Sequence, residues 1–586
     1  MESEMRNCQN CKKNFSIEAD DLGFYEKMKV PPPTFCPECR LIRRLIWRND
    51  RYLSKINCQL CGNSIFSTFS ENKEYTLYCA TCYRSDKWNP LDYGQDYDFS
   101  KPFFQQFSEF LKKVPVRAIN TNKTLINSPY TNLASNLKDC YLIFNADNNE
   151  NCMYGSEIEN SRECVDNTMI NECEQSYENV NCQKCYKSFF STNCTESSDI
   201  WFSYDLVGCL NCFGCVGLRH KSYYIFNQHY SKEIYEQKIK EIFSGKKAEI
   251  LNIESKVREI YLRAPRRYMY GRQNINVSGD YIYNCKNVKN SYVVNEAENC
   301  KYCMWLITPG VKKDCWDYIE YGENAEKIYE TIISGKNSSN IKFSNTISSS
   351  TDVEYSYGCR DVYNVFGCIG LQDKKFCIFN KKYSKEEYGR LVEKIKKHMN
   401  EMPYIDKNGN IYRYGEFFPF EISPRPYNRT SAQEFFPLTK EEAENLGYRW
   451  EEFIEKNYTP TLGKDNIPKI IYDVSPSIIN ETIGCSEWGS EKSKIQNCTK
   501  AFRIIPNELV FYKRHSIPLP NKCPNCRHFD RIEKRNSPKL WHRTCMCNKE
   551  GHLHGENKCE VEFETSYATN RPEIVYCEKC YQQEIY

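Results

Sequence analysis

Sixteen cysteines sit in pairs whose spacing suits metal ligation. At the N-terminal end the order is Cys8-x2-Cys11, Cys36-x2-Cys39, Cys58-x2-Cys61 and Cys79-x2-Cys82. At the C-terminal end it is Cys485-x12-Cys498, Cys523-x2-Cys526, Cys545-x13-Cys559 and Cys577-x2-Cys580. A short turn lets two thiolates converge on one ion, and a distant second turn closes a tetrahedral shell. The chemistry expected is four structural Zn2+ sites, each with four sulfur ligands and no open position for water. Cys547 is surplus to this register; it, His552 or His554 could replace Cys545, which is retained because sulfur ligation is the norm in structural sites.

The two ends are copies of each other. Cys11 to Cys36 and Cys498 to Cys523 are both 25 positions apart; Cys39 to Cys58 and Cys526 to Cys545 are both 19; Cys61 to Cys79 and Cys559 to Cys577 are both 18. Only the interiors of two knuckles differ in length. The match extends to Phe15, Ile17, Leu22, Phe24 and Tyr25 against Phe502, Ile504, Leu509, Phe511 and Tyr512. It continues in Pro31, Pro33, Pro37 and Arg40 against Pro518, Pro520, Pro524 and Arg527.

The stretch CQNCKKNFSIEADDLGFYEKMKVPPPTFCPECRLIRR resembles the treble-clef-type "probable zinc-binding domain" of many bacterial proteins. That family's pattern runs CxxC, an aromatic run ending in FY, prolines, then CPECR, and Cys8, Cys11, Cys36 and Cys39 fall on its ligand positions. The resemblance covers about forty residues at each end. The C-terminal copy departs from it in the stretched knuckle after Cys485. More loosely, with GEFFPFEISPRPYN and EFFPLTKEEAENLGYRW among the stretches that carry the likeness, the whole chain is similar to large cysteine-rich zinc-ribbon proteins of candidate-phylum bacteria and giant viruses. The resemblance implies zinc ligation and no particular activity.

The elements that must position these thiolates begin with a helix at the second knuckle, as in a treble clef. Arg40, Arg44 and Arg48 align with Arg527, Arg531 and Arg535 at i, i+4, i+8, on one helical face. Such a row could track nucleic-acid phosphates, or could pair with local carboxylates and cover the partner ribbon.

Between the zinc ends the texture changes to Asn, Cys and Tyr with a twelve-residue beat. Cys140, Cys152, Cys164 and Ser176 occupy one register, and Ser291, Cys303 and Cys315 a second. A small interior residue followed by a large one, with polar corners, predicts a β-solenoid; twelve residues per coil and twice that remain open. FGCVGLRHKSYYIFNQHYSKEIY at 213–235 returns as FGCIGLQDKKFCIFNKKYSKEEY at 366–388, an offset of 153. Ser231 and Ser384 read as N-caps of covering helices. Most of the 17 central cysteines, from Cys140 to Cys377, are expected to pack as inert thiols, although Cys182-x2-Cys185, Cys209-x2-Cys212-x2-Cys215 and Cys300-x2-Cys303 have ligand spacing.

The fold class expected is mainly β with α: duplicated zinc-ribbon or treble-clef modules flanking a duplicated β-solenoid with covering helices. The segments are a double zinc module at 1–90, a helical connector at 91–130, a first solenoid block at 131–245, a linker at 246–277, a second block at 278–400, a connector at 401–480 and a second double zinc module at 481–586. Phe103, Phe107, Phe110 and Leu111 predict a docking helix, and Thr439-x-x-Glu442 a capping box before a short helix ended by Gly447. YLRAPRRYMYGR at 261–272 reads as a surface strand ahead of a base-stacking segment.

Among 586 residues, Lys+Arg 80 against Asp+Glu 77 leaves a formal net charge of +3, so any basic footprint must be local. Mean hydropathy is −0.71 and the N-terminal MESEMRNCQNCKKNF lacks an apolar core, so neither a membrane span nor a secretory signal is expected. Thiol-rich pairs without an export signal point to a reducing, cytoplasmic compartment. Only 8 histidines occur, and no phosphate loop, nucleotide-binding glycine run or nucleophile elbow, which disfavours an enzyme. The expected function is non-enzymatic binding of nucleic acid through paired zinc modules. The alternatives are a protein-interaction scaffold presenting the solenoid surface and, behind both, an enzyme of unknown class. No small-molecule cofactor is expected.

Overall fold

A computed structural model describes residues 2–71, 74–452, 459–555 and 557–585, the side chains of Asn122 and Lys123 excepted. The chain is mixed α/β, with two 13-stranded sheets in its middle and cysteine groups towards both ends. The first sheet runs from Thr121 to His229 and the second from Gly271 to Lys382. Both consist of short parallel strands apart from an antiparallel closing hairpin.

From Thr131 to Ile225 the parallel strands of the first sheet pair at a step of twelve residues: Tyr141 with Met153, Cys164 with Ser176, Ile200 with Cys212. The first strand, Thr121–Ile126, starts at a step of thirteen, Thr121 with Ala134, and returns to twelve through a bulge. The twelve-residue beat is therefore the full advance of the ladder. Inside it runs a shorter rhythm that the sequence reading missed. Every third residue from Leu133 to Phe226 has a positive φ, which puts four left-handed corners in each advance. Up to Gly214 the residue after each corner points inward, so Cys140, Ile143, Ala146 and Asn149 bury together and are succeeded by Cys152, Gly155, Ile158 and Ser161.

Left-handed backbone costs a non-glycine residue roughly 1–2 kcal/mol. The repeated hydrogen bonding between advances offsets that cost. Inward residues that follow a corner donate their N–H to a side chain twelve residues back: Asn179 to Asn167 Oδ1 at 2.9 Å, Ser191 to Asn179 Oδ1 at 2.9 Å, Ser203 to Ser191 Oγ at 3.3 Å. Interior thiols donate to carbonyls, as Cys164 does to Arg162 O at 3.2 Å. Burial pushes the Cys285 and Cys377 thiols up to about 11, which keeps them protonated donors. Small polar side chains are inside because the corners need partners there.

The second sheet breaks this regularity. Tyr292 pairs with Met304 across twelve residues, but Cys300 pairs with Cys315 across fifteen and Lys312 with Ala325 across thirteen; the twelve-residue step returns at Ser339 with Thr351. The expected register of Cys315 with Cys303 is corrected: three extra residues before Lys312 move Cys315 beneath Cys300.

Each sheet is covered by a helix capped as expected, at Lys232–Ile242 and Lys385–Glu401, where Ser231 accepts from Ile234 N and Ser384 from Glu387 N. The helix Phe103–Lys113 docks through Phe103 on Tyr355, Phe366 and Phe379 of the second sheet. The Thr439 capping box opens the helix Lys440–Asn445. Residues 453–458 of the connector lie outside the described residues. The 261–272 segment is no free surface strand: Lys247–Arg263 is a helix, and Arg266–Arg267 pairs with Val575–Tyr576.

The end modules straddle the two sheets crosswise. The helix Pro37–Ile46 packs on the second sheet, while Leu77–Tyr78 pairs with Val116–Arg117 just ahead of the first. The helix Pro524–Glu533 packs on the first sheet, while Val575–Tyr576 pairs with Arg266–Arg267 just ahead of the second.

Candidate metal centres

Each cysteine group is built from a hairpin and a helix. The hairpin Glu4–Asn7 with Asn14–Ile17 presents Cys8 and Cys11, and the helix Pro37–Ile46, entered at Cys36, carries Cys39. The hairpin Ser54–Asn57 with Ser64–Ser67 presents Cys58 and Cys61 to Cys79 and Cys82. The C-terminal copy uses Ile483–Gly484 with Ala501–Phe502, then Trp541–Thr544 with Glu562–Thr565.

The structure brings together the four expected sets: Cys8, Cys11, Cys36 and Cys39; Cys58, Cys61, Cys79 and Cys82; Cys485, Cys498, Cys523 and Cys526; Cys545, Cys559, Cys577 and Cys580. Within each set the sulfurs lie within 4.8 Å of one another, and each could hold a metal ion. Sulfurs around a tetrahedral ion with bonds of about 2.3 Å are separated by about 3.8 Å. Cys11–Cys36 is 3.7 Å, Cys498–Cys523 3.8 Å, Cys485–Cys526 3.9 Å and Cys559–Cys577 3.9 Å. A disulfide would need about 2.05 Å, and these cysteines are free.

One contact recurs in all four sets. The first thiol of the second pair's turn has its backbone N–H aimed at the first sulfur: Cys36 N to Cys8 Sγ at 3.2 Å, Cys79 N to Cys58 Sγ at 3.3 Å, Cys523 N to Cys485 Sγ at 3.2 Å and Cys577 N to Cys545 Sγ at 3.2 Å. Such donors stabilise thiolate. Burial raises the Cys58 thiol, but the N–H groups of Cys79, Cys61 and Leu60 outweigh it and bring it down to about 6. Hydrogen bonds from the Cys36 and Cys39 thiols hold Cys8 below its ordinary value. In the third set the Cys485 thiol leads those that hold Cys523 well down.

Cys545 keeps its place in the fourth set, and Cys547 does not displace it. The surplus residues instead form a fifth group, Cys547, His552, His554 and Cys580. Among the described residues the interior CxxC pairs fall in none of the groups that could hold a metal ion. Cys182, Cys185, Cys209, Cys212, Cys300 and Cys303 are buried and bond to carbonyls of the ladder, as Cys185 does to Gln183 O at 3.4 Å.

Of the two roles open to the arginine rows, the structure has their guanidiniums on carboxylates. Arg40, Arg44 and Arg48 are at most 1% exposed, and Arg527, Arg531 and Arg535 are 4%, 0% and 7% exposed. Arg40 and Arg44 reach Asp317 at 2.8 and 3.0 Å, and Arg48 meets Asp50 and Glu320. Arg527 meets Asp166; Arg531 meets Asp166 at 2.9 Å and Glu178 at 3.1 Å; Arg535 meets Glu157 at 2.8 Å. Arg43, which the i, i+4 spacing passed over, joins Glu330 and Glu416, both at 2.9 Å. These guanidiniums fasten the modules to the sheets.

No protein-family model matches the chain, and no curated protein matches it. Among solved structures, the polySia specific acetyltransferase NeuO aligns at 8% identity over 48% of this chain and 95% of its own, with a TM-score of 0.06. A likeness at that level carries no argument about fold or function.

Proposed function

We propose that the chain is a non-enzymatic zinc protein in which four all-cysteine sites clasp two β-solenoids into one scaffold for a protein partner. The observation that carries the zinc reading is the set of 3.5–3.9 Å sulfur separations, close to the edges of a tetrahedral shell, found at both ends. Four thiolates saturate Zn2+ and leave it structural. The hairpin followed by a helix at the second knuckle supports a treble-clef build, and parallel pairing at twelve-residue steps supports the solenoid reading.

The scaffold reading takes precedence over nucleic-acid binding because the guanidiniums that would meet phosphates are spent on internal carboxylates. What the ladders expose includes apolar and aromatic side chains: Tyr186 and Leu210 on one outer row, and Tyr363 at the position matching Leu210 in the duplicate, are 39%, 41% and 53% exposed. Such positions suit protein contact more than phosphate. Full-length reduced protein should contain at least four zinc ions per chain, and its retention on heparin should vary little with salt. Metal-free protein of unchanged protease resistance would overturn the zinc reading, and salt-steep heparin retention would overturn the choice of partner.

A further inference from the structure

The fourth cysteine set and the fifth group have one member in common. Cys580 Sγ lies within 4.8 Å of the sulfurs of Cys545, Cys559 and Cys577, and within 4.8 Å of Cys547 Sγ and one nitrogen each of His552 and His554. We propose that the lengthened knuckle of the C-terminal module builds a dinuclear zinc centre in which the Cys580 thiolate bridges two ions. This rests on the zinc reading above and adds a fifth ion to it.

The ligand distances suit a second tetrahedron. Zn–S bonds of about 2.3 Å and Zn–N bonds of about 2.0 Å set an S···N edge of about 3.5 Å. Cys547 Sγ is 3.2 Å from His552 Nδ1 and 3.4 Å from His554 Nε2. Cys547 is 0% exposed and Cys580 is 2% exposed, so the two sulfurs lie in the interior of the module.

The outer nitrogen of His554 carries an independent sign of ligation. A metal-bound histidine nearly always presents its other ring nitrogen to a carbonyl or carboxylate, which fixes the tautomer and leaves the inner nitrogen's lone pair for the ion. His554 Nδ1 lies 2.6 Å from Asn557 O, leaving Nε2 facing Cys547. His552 Nε2 lies 3.9 Å from Glu584 Oε2, leaving Nδ1 facing the same sulfur. The two rings turn opposite nitrogens inward, Nε2 of His554 and Nδ1 of His552, and His554 has an acceptor on its outer nitrogen.

The insertion accounts for the C-terminal place of this centre, which among the described residues has no counterpart in the N-terminal module. Cys58-x2-Cys61 in the N-terminal module leaves two residues between its sulfurs, whereas Cys545-x13-Cys559 leaves thirteen, and those thirteen contain Cys547, His552 and His554. The extra loop is a ligand arm, and the centre it completes has two sulfur and two imidazole ligands with no position open to water.

Native mass spectrometry of the full reduced chain, freed of loosely held metal on a chelating resin, should count five zinc ions, and the double variant His552→Ala/His554→Ala should count four. Replacing zinc by Co2+ tests the bridge on the unaltered chain: two thiolate-bridged Co2+ ions couple antiferromagnetically, so low-temperature paramagnetic resonance should account for three ions of five. Four zinc ions in the unaltered chain, five in the double variant, or five magnetically independent Co2+ ions would each overturn the proposal. A chain with no zinc at all would instead overturn the reading on which it rests.

Discussion

Arg531 and Asp166, 365 positions apart in the sequence, meet in a fully buried ion pair with 2.9 Å between Nη1 and Oδ1. The same guanidinium takes Glu178 at 3.1 Å. The matching residue of the other copy, Arg44, takes Asp317 at 3.0 Å and approaches Glu330 at 3.9 Å. The duplication therefore preserved the arginines together with the carboxylates they face. Removing one partner of such a buried pair strands a charge in a low-dielectric interior.

Arg531→Ala should accordingly destabilise the chain by about 3–5 kcal/mol in urea unfolding. Adding Asp166→Asn should recover little of the loss, because buried Arg527 pairs with the same carboxylate and would lose that partner. Equal stability of Arg531→Ala and the parent chain would show that the module is held by other contacts.

Cysteines of the ladder and of the metal centres should respond differently to the same substitution. Ser176 and Ser188 occupy successive places in the row that contains Cys164, so Cys164→Ser should cost no more than about 1 kcal/mol. Cys36→Ser removes one of four ligands and should lose an ion, read as metal content. Loss of zinc from Cys164→Ser would contradict the assignment of that thiol to packing.

The left-handed corners make a third prediction. Asn148 has φ 56° and donates to Asn160 Oδ1 at 3.1 Å, on the outside of the first sheet. Asn148→Val should cost about 2 kcal/mol, from β-branched strain in that region plus the lost bond, whereas Asn148→Gly should cost less. Urea midpoints that rank the two the other way would remove the conformational argument.

Stability should also depend on Glu434. Burial pushes this carboxyl up from 4.5 to about 7, with His528 Nε2 at 3.4 Å. A proton held more tightly in the folded chain than in the unfolded one favours folding; the benefit is complete below pH 4.5 and is lost as pH rises through about 7. The span of 2.5 pH units, 7 less 4.5, corresponds to about 3 kcal/mol. Metal-bound thiolates drift the opposite way, since acid releases the ion. The difference between the parent chain and Glu434→Gln isolates the carboxyl, and it should shrink as pH falls from 7 to 4.5. A difference that does not change with pH would place the proton elsewhere.

The four cysteine groups were legible in the sequence because metal ligation tolerates few spacings, and the duplication checked each spacing against its copy. The twelve-residue advance was equally legible, since Cys140, Cys152 and Cys164 repeat it openly. The four corners inside it were not. Leu142, Tyr154 and Phe190 take positive φ although nothing in their side chains asks for it; the stacked hydrogen bonds impose it. Arg40, Arg44, Arg527 and Arg531 lie on the expected helices, whereas Arg48 and Arg535 lie past the helix ends at Ile46 and Glu533. Spacing along a helix also says nothing of what lies opposite. Asp317 and Asp166 became their partners through contacts that cross most of the chain, which no local pattern records.

The crosswise seating of the modules has a topological outcome. Severed near Ser244 and Gly245, the chain would yield two pieces, each lending its cysteine-bearing helix to the ladder of the other. Neither piece could satisfy its own buried carboxylates, so the two should assemble as reciprocally exchanged arms in the manner of a swapped dimer. The intact polypeptide is in this sense a dimer written on one strand, its two-fold exchange made intramolecular by a single crossing peptide.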